Sequence, residues 1–256
     1  MASIEIERPD EDIALVRLNR PERMNALSME MRLLLSDAFE RINADPAIRA
    51  VVIAGNARHF AVGADIGELQ DTGVIDLVRR DTIRFWRSIR ECPRPVIAAV
   101  AGLALGGGCE LALHADIIVA GEKARFALPE VRIGIIPGGG GTQRLPRAIG
   151  IHRAMLMLMT GEPIDAAQAD AWGLVSQVVP EGEVEPCALA LARKLAKLPP
   201  LALSSLKRTV HAGLDAALET GLQLEQRAVQ VLFASEDMRE GVAAFLEKRS
   251  PDFKGA

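Results

Sequence analysis

Two hydrophobic rhythms alternate along this chain. Residues 51–55 and 96–100 are short apolar runs, and 116–120 is another once Asp116 is passed, the pattern of strands buried on both faces. Residues 4–7 and 13–18 flank the polar turn Arg8-Pro-Asp-Glu-Asp12 and predict a hairpin. A helical period replaces these runs where Met31, Leu34, Leu35, Ala38, Phe39 and Ile42 form one stripe, so a helix capped by Ser28 is predicted to about residue 43. Residues 74–91 predict a second helix, with Leu77, Val78, Ile83, Trp86 and Ile89 available for burial. From residue 153 onward helices dominate, at 153–159, 165–171, 183–197, 201–212, 214–233 and 237–247, with one strand at 175–179. The alternation of strand, turn and helix predicts an α/β architecture with parallel strands. Pro199-Pro200 punctuates the helical region and sets a boundary between a core over 1–198 and a helical region over 199–256.

The stretch 95–114 changes period halfway and places a carboxylate at the change. After the apolar run come Gly102 and then Gly106, Gly107 and Gly108, where backbone can turn sharply and approach a ligand. A helix is predicted to follow, so its unpaired N–H groups and positive dipole end offer a site for an anion or a developing oxyanion. Glu110 falls in the first turn of that helix, a position that serves either a catalytic carboxylate or one that merely complements the dipole. A second acid, Glu130, stands between Pro129 and Gly134, which predict a loop. Apolar Val131, Ile133, Ile135 and Ile136 beside it would favour its neutral form, as a general acid needs near neutral pH.

Composition narrows the classes. With 256 residues, 49% of them hydrophobic and 25% charged, the chain is long enough for a substantial core and ordinary for a soluble globular protein. The net charge of −4 and the lack of a basic tract argue against nucleic acid. Arg79, Arg80, Arg84, Arg87 and Arg90 are interleaved with Asp76, Asp81 and Glu91, as on the wet face of a helix. Cys92, Cys109 and Cys187 are widely spaced, which predicts neither a disulfide framework nor a zinc knuckle and suits a reducing cytoplasm. The first residues are acidic where a signal peptide would be basic, and the uncharged run 95–109 is short and glycine-rich for a membrane span. Gly138 to Gly141 are not followed by Lys-Ser/Thr, and Gly-x-Gly-x-x-Gly, Gly-x-Ser-x-Gly and His-Glu-x-x-His are absent. His59, His114, His152 and His211 are scattered, as surface or packing residues rather than metal ligands.

Four segments carry a family resemblance. Gly102-Leu-Ala-Leu-Gly-Gly-Gly-Cys-Glu110 resembles the signature of the crotonase family, the enoyl-CoA hydratase/isomerase superfamily. Asn19-Arg-Pro-x-x-x-Asn25-Ala-Leu27 resembles its first motif, Phe60-x-x-Gly63-Ala-Asp-Ile66 its second, and 126–145 its longest. The ending Lys248-Arg-Ser-Pro-Asp-Phe-Lys254 is similar as well, so the resemblance spans essentially the whole chain. It implies a right-handed spiral of repeated strand-strand-helix turns with a C-terminal helical trimerisation region, assembled as a trimer or a dimer of trimers. It implies that Met24, Ala26, Ala64, Asp65 and Ile66 line the coenzyme A groove, with Arg23 reaching a phosphate. Gly67 stands where the family often has a basic residue. The N–H groups of Ala64 and Gly107 would form an oxyanion hole, the Gly138 N–H would help position water, and residues 68–73 would wall the acyl pocket.

The implied activity is reversible hydration of a 2-trans-enoyl-CoA thioester, with Glu110 and Glu130 orienting the water and Glu130 favoured as proton donor. Coenzyme A enters as part of the substrate, and no other cofactor, metal, nucleic acid or membrane is expected. An enoyl-CoA isomerase often keeps only the glutamate at position 130, so the pair favours a hydratase. A specialised hydratase, of the carnitinyl-CoA or 2,3-dehydroadipyl-CoA type, would keep the same pair and differ in its pocket. A non-enzymatic CoA- or RNA-binding relative is the remaining alternative.

Overall fold

The computed structural model describes residues 3–70, 72–79 and 82–256. The predicted hairpin forms from β1 (Ile4–Asp10) and β2 (Ile13–Leu18), paired antiparallel. The chain then lays down strands in pairs: β3 (Ala50–Ala54) with β4 (His59–Ala61), β5 (Val96–Val100) with β6 (Leu103–Leu105), and β7 (Ile117–Gly121) with β8 (Arg125–Ala127). Each pair gives one strand to each of two sheets. With β9 (Ile164–Asp165) and β10 (Gln177–Val179), the orders are β1-β2-β3-β5-β7-β10 and β4-β6-β8-β9, parallel through the centres of both. The strands of the second sheet are two or three residues long, too short for a period of two to show in sequence.

The helices are α1 (Met29–Ala44), α2 (Val74–Arg79), α3 (Thr82–Arg90), α4 (Gly107–His114), α5 (Gly141–Ile149), α6 (Ile151–Thr160), α7 (Ala166–Trp172), α8 (Val184–Ala196), α9 (Pro200–Leu214), α10 (Leu218–Leu232) and α11 (Glu236–Glu247). Ser28 caps α1 as predicted, its hydroxyl accepting from the Met31 N–H. The predicted helix over 74–91 is found as α2 and α3, while Arg80, Asp81 and the Ile83 side chain fall outside what is described. Of the residues available for burial, Trp86 and Ile89 are buried together with Phe85, whereas Leu77 and Val78 on the short α2 are exposed. The predicted helix over 214–233 begins later, at Leu218, after a turn. The helix α5, which follows the glycine run, was not foreseen.

The apolar strand runs follow from the layering. Val51, Ile53, Val96, Ala98 and Val100 point into the main core, towards α1, α3 and α4. Val52, Ala54, Ile97 and Ala99 point the other way, against Val184, Ala188, Ala192 and Ala196 of α8. Both faces of β3 and β5 are therefore dry, and alternation disappears from the sequence. Crossing between the sheets demands glycine: a Cβ on Gly102, whose φ is +63°, would fall 1.9 Å from the Arg58 carbonyl oxygen. One on Gly108 would fall 2.0 Å from the Ala61 oxygen, so glycine also lets α4 lie directly on β4.

The C-terminal helices are tied back to this core. Lys207 of α9 is buried and donates to Asp116 at 2.7 Å and to the Arg94 carbonyl at 3.2 Å. Burial by itself would raise the Asp116 carboxyl, but His211, Lys207 and the Val96 N–H outweigh it and hold it below the usual carboxylate range. Arg49 donates to the Phe253 carbonyl, and Asp237 accepts from the Lys254 and Gly255 N–H groups. Replacing Asp116 with Ala should cost about 3 kcal/mol in chemical denaturation, since it strands a buried ammonium; an unchanged midpoint would show that the tether carries no stability.

Candidate active site

The two glycine-rich segments and the two glutamates meet at the N-terminus of α4. Gly106 precedes that helix with φ +50° and no side-chain cap, so the first N–H groups of α4 stay open. Glu110, one turn in, is 3% exposed. Its carboxylate does not turn back to its own helix. Oε1 accepts from the Gly139 N–H at 2.7 Å and the Gly141 N–H at 2.8 Å, so the Glu110 carboxyl sits at the start of α5, where the free N–H groups and the dipole favour negative charge. Glycine is required there too, because a Cβ on Gly139 would fall 2.3 Å from the Trp86 ring and 2.6 Å from Glu110 Oε2. Burial raises the Glu110 carboxyl, opposed by the Gly141 and Gly139 N–H groups and the Arg32 charge.

Glu130 lies on a short 3-10 helix, Pro129–Ile133, rather than in a loop; Pro129 opens the turn and Gly134, with φ +79°, closes it. Val131, Ile133, Ile135 and Ile136 are exposed, so the expected apolar surroundings are not formed by them. The turn instead lays the carboxyl against the head of α4, where a Cβ on Gly106 would be 2.9 Å from Glu130 Oε1. Oε2 is buried and has no hydrogen-bond partner among the described residues. Burial first, opposed by a backbone hydrogen bond and reinforced by the Glu110 charge, pushes this carboxyl up to about 7. One acid is thus held by two N–H donors while the other keeps its proton close to neutrality.

The other predicted residues fall in two groups. Ala64 and Gly107 converge: a Cβ on Gly107 would be 3.8 Å from the Ala64 nitrogen, and one on Gly63 would be 3.4 Å from the Gly107 nitrogen. No acceptor for either N–H is found among the described residues. Around Gly138 there is open space. Arg23, Met24 and Ile66 are exposed, Ala26 is buried, and a parallel bridge from Leu27 to Ala64 brings their two loops together. Asp65 is engaged elsewhere, paired with Arg20 at 2.9 Å and accepting from the Gly67 N–H.

Sequence reasoning passed over Arg20 and Asn25. Buried Asn25, with φ +57°, accepts from the Arg20 N–H and donates to the His59 and Phe60 carbonyls, so it builds the loop that carries Met24 and Ala26. Its signal was present as the second Asn of the first motif. Trp86 and His114 were read as packing residues and prove to touch the glycine loop at Gly139. Among the described residues no group of three or more His, Cys, Asp or Glu is placed to hold a metal ion.

A raised carboxyl has a definite stability signature. Between pH 4.5, its ordinary value, and about 7, folded chains keep the Glu130 proton that unfolded chains release. Glu130 should therefore make the fold less stable relative to Glu130→Gln as pH rises through that window. A wild-type minus Glu130→Gln difference in thermal midpoint that stays constant from pH 4 to 8 would contradict this.

Residues 8–256 match the family described as enoyl-CoA hydratase/isomerase. The chain is 45% identical over 243 residues to the 2,3-dehydroadipyl-CoA hydratase of Escherichia coli (strain K12), covering 95% of each. It is 42% identical to the mitochondrial enoyl-CoA hydratase of Pongo abelii, over 94% of this chain and 83% of that one. Its fold superposes on the crystal structure of enoyl-CoA hydratase from Bacillus anthracis with a TM-score of 0.95 at 37% identity, covering both chains completely. With the motifs in their expected places on a shared fold, the chain belongs to the crotonase, or enoyl-CoA hydratase/isomerase, family.

Proposed function

We propose that this protein reversibly hydrates 2-trans-enoyl-CoA thioesters to 3-hydroxyacyl-CoA, and the observation that carries this reading is the unequal pair Glu110 and Glu130. The thioester carbonyl oxygen fits between the Ala64 and Gly107 N–H groups, which hold the enolate charge as it forms, a contribution of roughly 3–4 kcal/mol per donor. Glu110 takes a proton from water as its oxygen attacks Cβ, and Glu130 gives its proton to Cα. The Gly138 N–H helps place the water, and return of a proton from Glu110 to Glu130 through solvent resets the site. Run backwards, the same steps dehydrate. Coenzyme A lies along Met24, Ala26, Ala64, Asp65 and Ile66, with Arg23 towards a phosphate. Because Asp65 is paired with Arg20, its share of this contact comes from the backbone. No separate cofactor takes part.

The name of the Escherichia coli relative makes a dicarboxylyl thioester a second substrate class beside plain 2-enoyl chains. Loss of conjugated absorbance across enoyl-CoA thioesters of varied length and terminal charge separates the two. The reaction is assigned to the cytoplasm, in keeping with free Cys92, Cys109 and Cys187. No helix among the described residues is long and apolar enough to cross a membrane.

Glu110→Gln and Glu130→Gln should each lower hydration about a hundredfold or more, since an amide neither takes up nor gives the proton. Because both groups act on one transition state, the double variant should lose far less than the product of the single losses. An isomerase would keep its 3-enoyl to 2-enoyl activity in Glu110→Gln, and full hydration in that variant would overturn the mechanism.

Assembly follows from surface chemistry. Leu206, Val210, Leu214, Leu218, Leu222, Val229, Val231 and Phe233 are exposed along α9, α10 and the turn that follows, and α10 has no buried residue. Such a face is covered by further copies of the chain. Light scattering should give three or six chains per particle, with Val231→Asp plus Phe233→Asp shifting it towards monomer; a monodisperse wild-type monomer at micromolar concentration would refute the trimer.

A further inference from the structure

The glycine segment that holds Glu110 has little to fix its own shape. Gly140 has φ +107°, and the space beside Gly138 is open. Its grip comes from the far side. His114 lies one helical turn beyond Glu110 on α4 and is 6% exposed. Its ring stacks on Trp86, 4.9 Å between centroids at 15°, and its Nε2 lies 2.8 Å from the Gly139 carbonyl oxygen. A carbonyl only accepts, so Nε2 carries the hydrogen and Nδ1 is bare; Nδ1 is buried without a partner among the described residues. Burial first, then the charge of Arg144 on α5, and further Arg90 on α3 and His211 on α9, outweigh the hydrogen bond to Gly139, which favours the charged form, and push the imidazole down to about 3. It is a permanent donor rather than a titrating one.

Gly139 is thereby held at both ends, its N–H by Glu110 and its carbonyl by His114. We propose that His114, braced by Trp86, is a positioning residue for hydration: by holding the Gly139 carbonyl it keeps the Gly139 and Gly141 N–H groups aimed at Glu110. The effect on turnover rests on the hydratase reading above, whereas the effect on the Glu110 carboxyl does not. Glu110 is faced by Arg32 of α1, by Glu130 of the 3-10 helix and by Cys109 on its own helix. Loosening the glycine segment withdraws its two N–H donors, and the carboxyl then titrates at higher pH.

The test uses His114→Leu, which fills the space without a donor, and His114→Gln, whose amide N–H reaches nearly the same point. In His114→Leu the turnover number should fall about tenfold or more, as for other residues that orient a reacting group, with KM within about twofold. The acidic limb of its pH–rate profile should move to higher pH, and His114→Gln should restore most of both. Isotope-edited infrared titration of the Glu110 carboxyl, assigned by its loss in Glu110→Gln, reads the same shift without catalysis. A shifted Glu110 titration in a protein whose wild type hydrates no enoyl-CoA thioester would uphold the grip of His114 on the glycine segment and reject the hydratase reading, whereas a shifted titration with unchanged hydration would overturn His114 as a positioning residue. An unshifted titration, or equal behaviour of the Leu and Gln variants beyond a common loss of thermal stability, would overturn the proposal.

Discussion

The site depends on one contact: the Glu110 carboxylate against the N–H groups of Gly139 and Gly141. A buried carboxylate is costly unless donors replace its water, and backbone amides at a helix start supply two without adding a charge. With the His114–Gly139 and Arg144–Leu113 bonds, that contact joins α4 to α5, and so fastens the layer holding Gly107 to the segment that turns past Gly138. It also separates the two acids. Glu110 receives donors, Glu130 leaves one oxygen buried and bare, and their proton affinities part accordingly.

Glycine makes the contact possible, for steric reasons that differ between positions. At Gly139 a side chain would strike the Trp86 ring and the carboxylate itself, whereas at Gly102 it would strike the Arg58 backbone just before β4 and at Gly108 the Ala61 backbone of β4. The first is a requirement of the site, the others of the fold. They are linked because the turn at Gly102 brings β6 beside β4, which sets the head of α4 next to Ala64. The approach of the Ala64 and Gly107 N–H groups is thus a product of how the two sheets are stitched together. Its two N–H groups come from residues more than forty positions apart in the chain.

The first loop takes its shape from an ion pair. Arg20 donates both to Asp65 and to the Ala26 carbonyl, clamping the two loops that carry the expected coenzyme A contacts. Both groups are only partly buried, and the guanidinium fork suits the task because it reaches two acceptors from a fixed plane. Asn25 completes the clamp from below by donating to the β4 backbone.

By itself, the sequence determined whatever repeats along the chain. The strands β3, β5 and β7, the capped helix α1, the parallel α/β alternation and most C-terminal helices were legible because burial on one or both faces imposes a period on neighbouring residues. Glu110, Glu130 and the glycines were legible as motifs. Only the tertiary structure decided what each carboxylate faces. Glu110 is bound by amides 29 and 31 residues away, Glu130 is desolvated by the head of α4 rather than by its apolar sequence neighbours, and His114 acts 25 residues distant. Such contacts leave no period, since a chain's local pattern records which side of an element is dry, while the partner across the interface is chosen by how the layers stack.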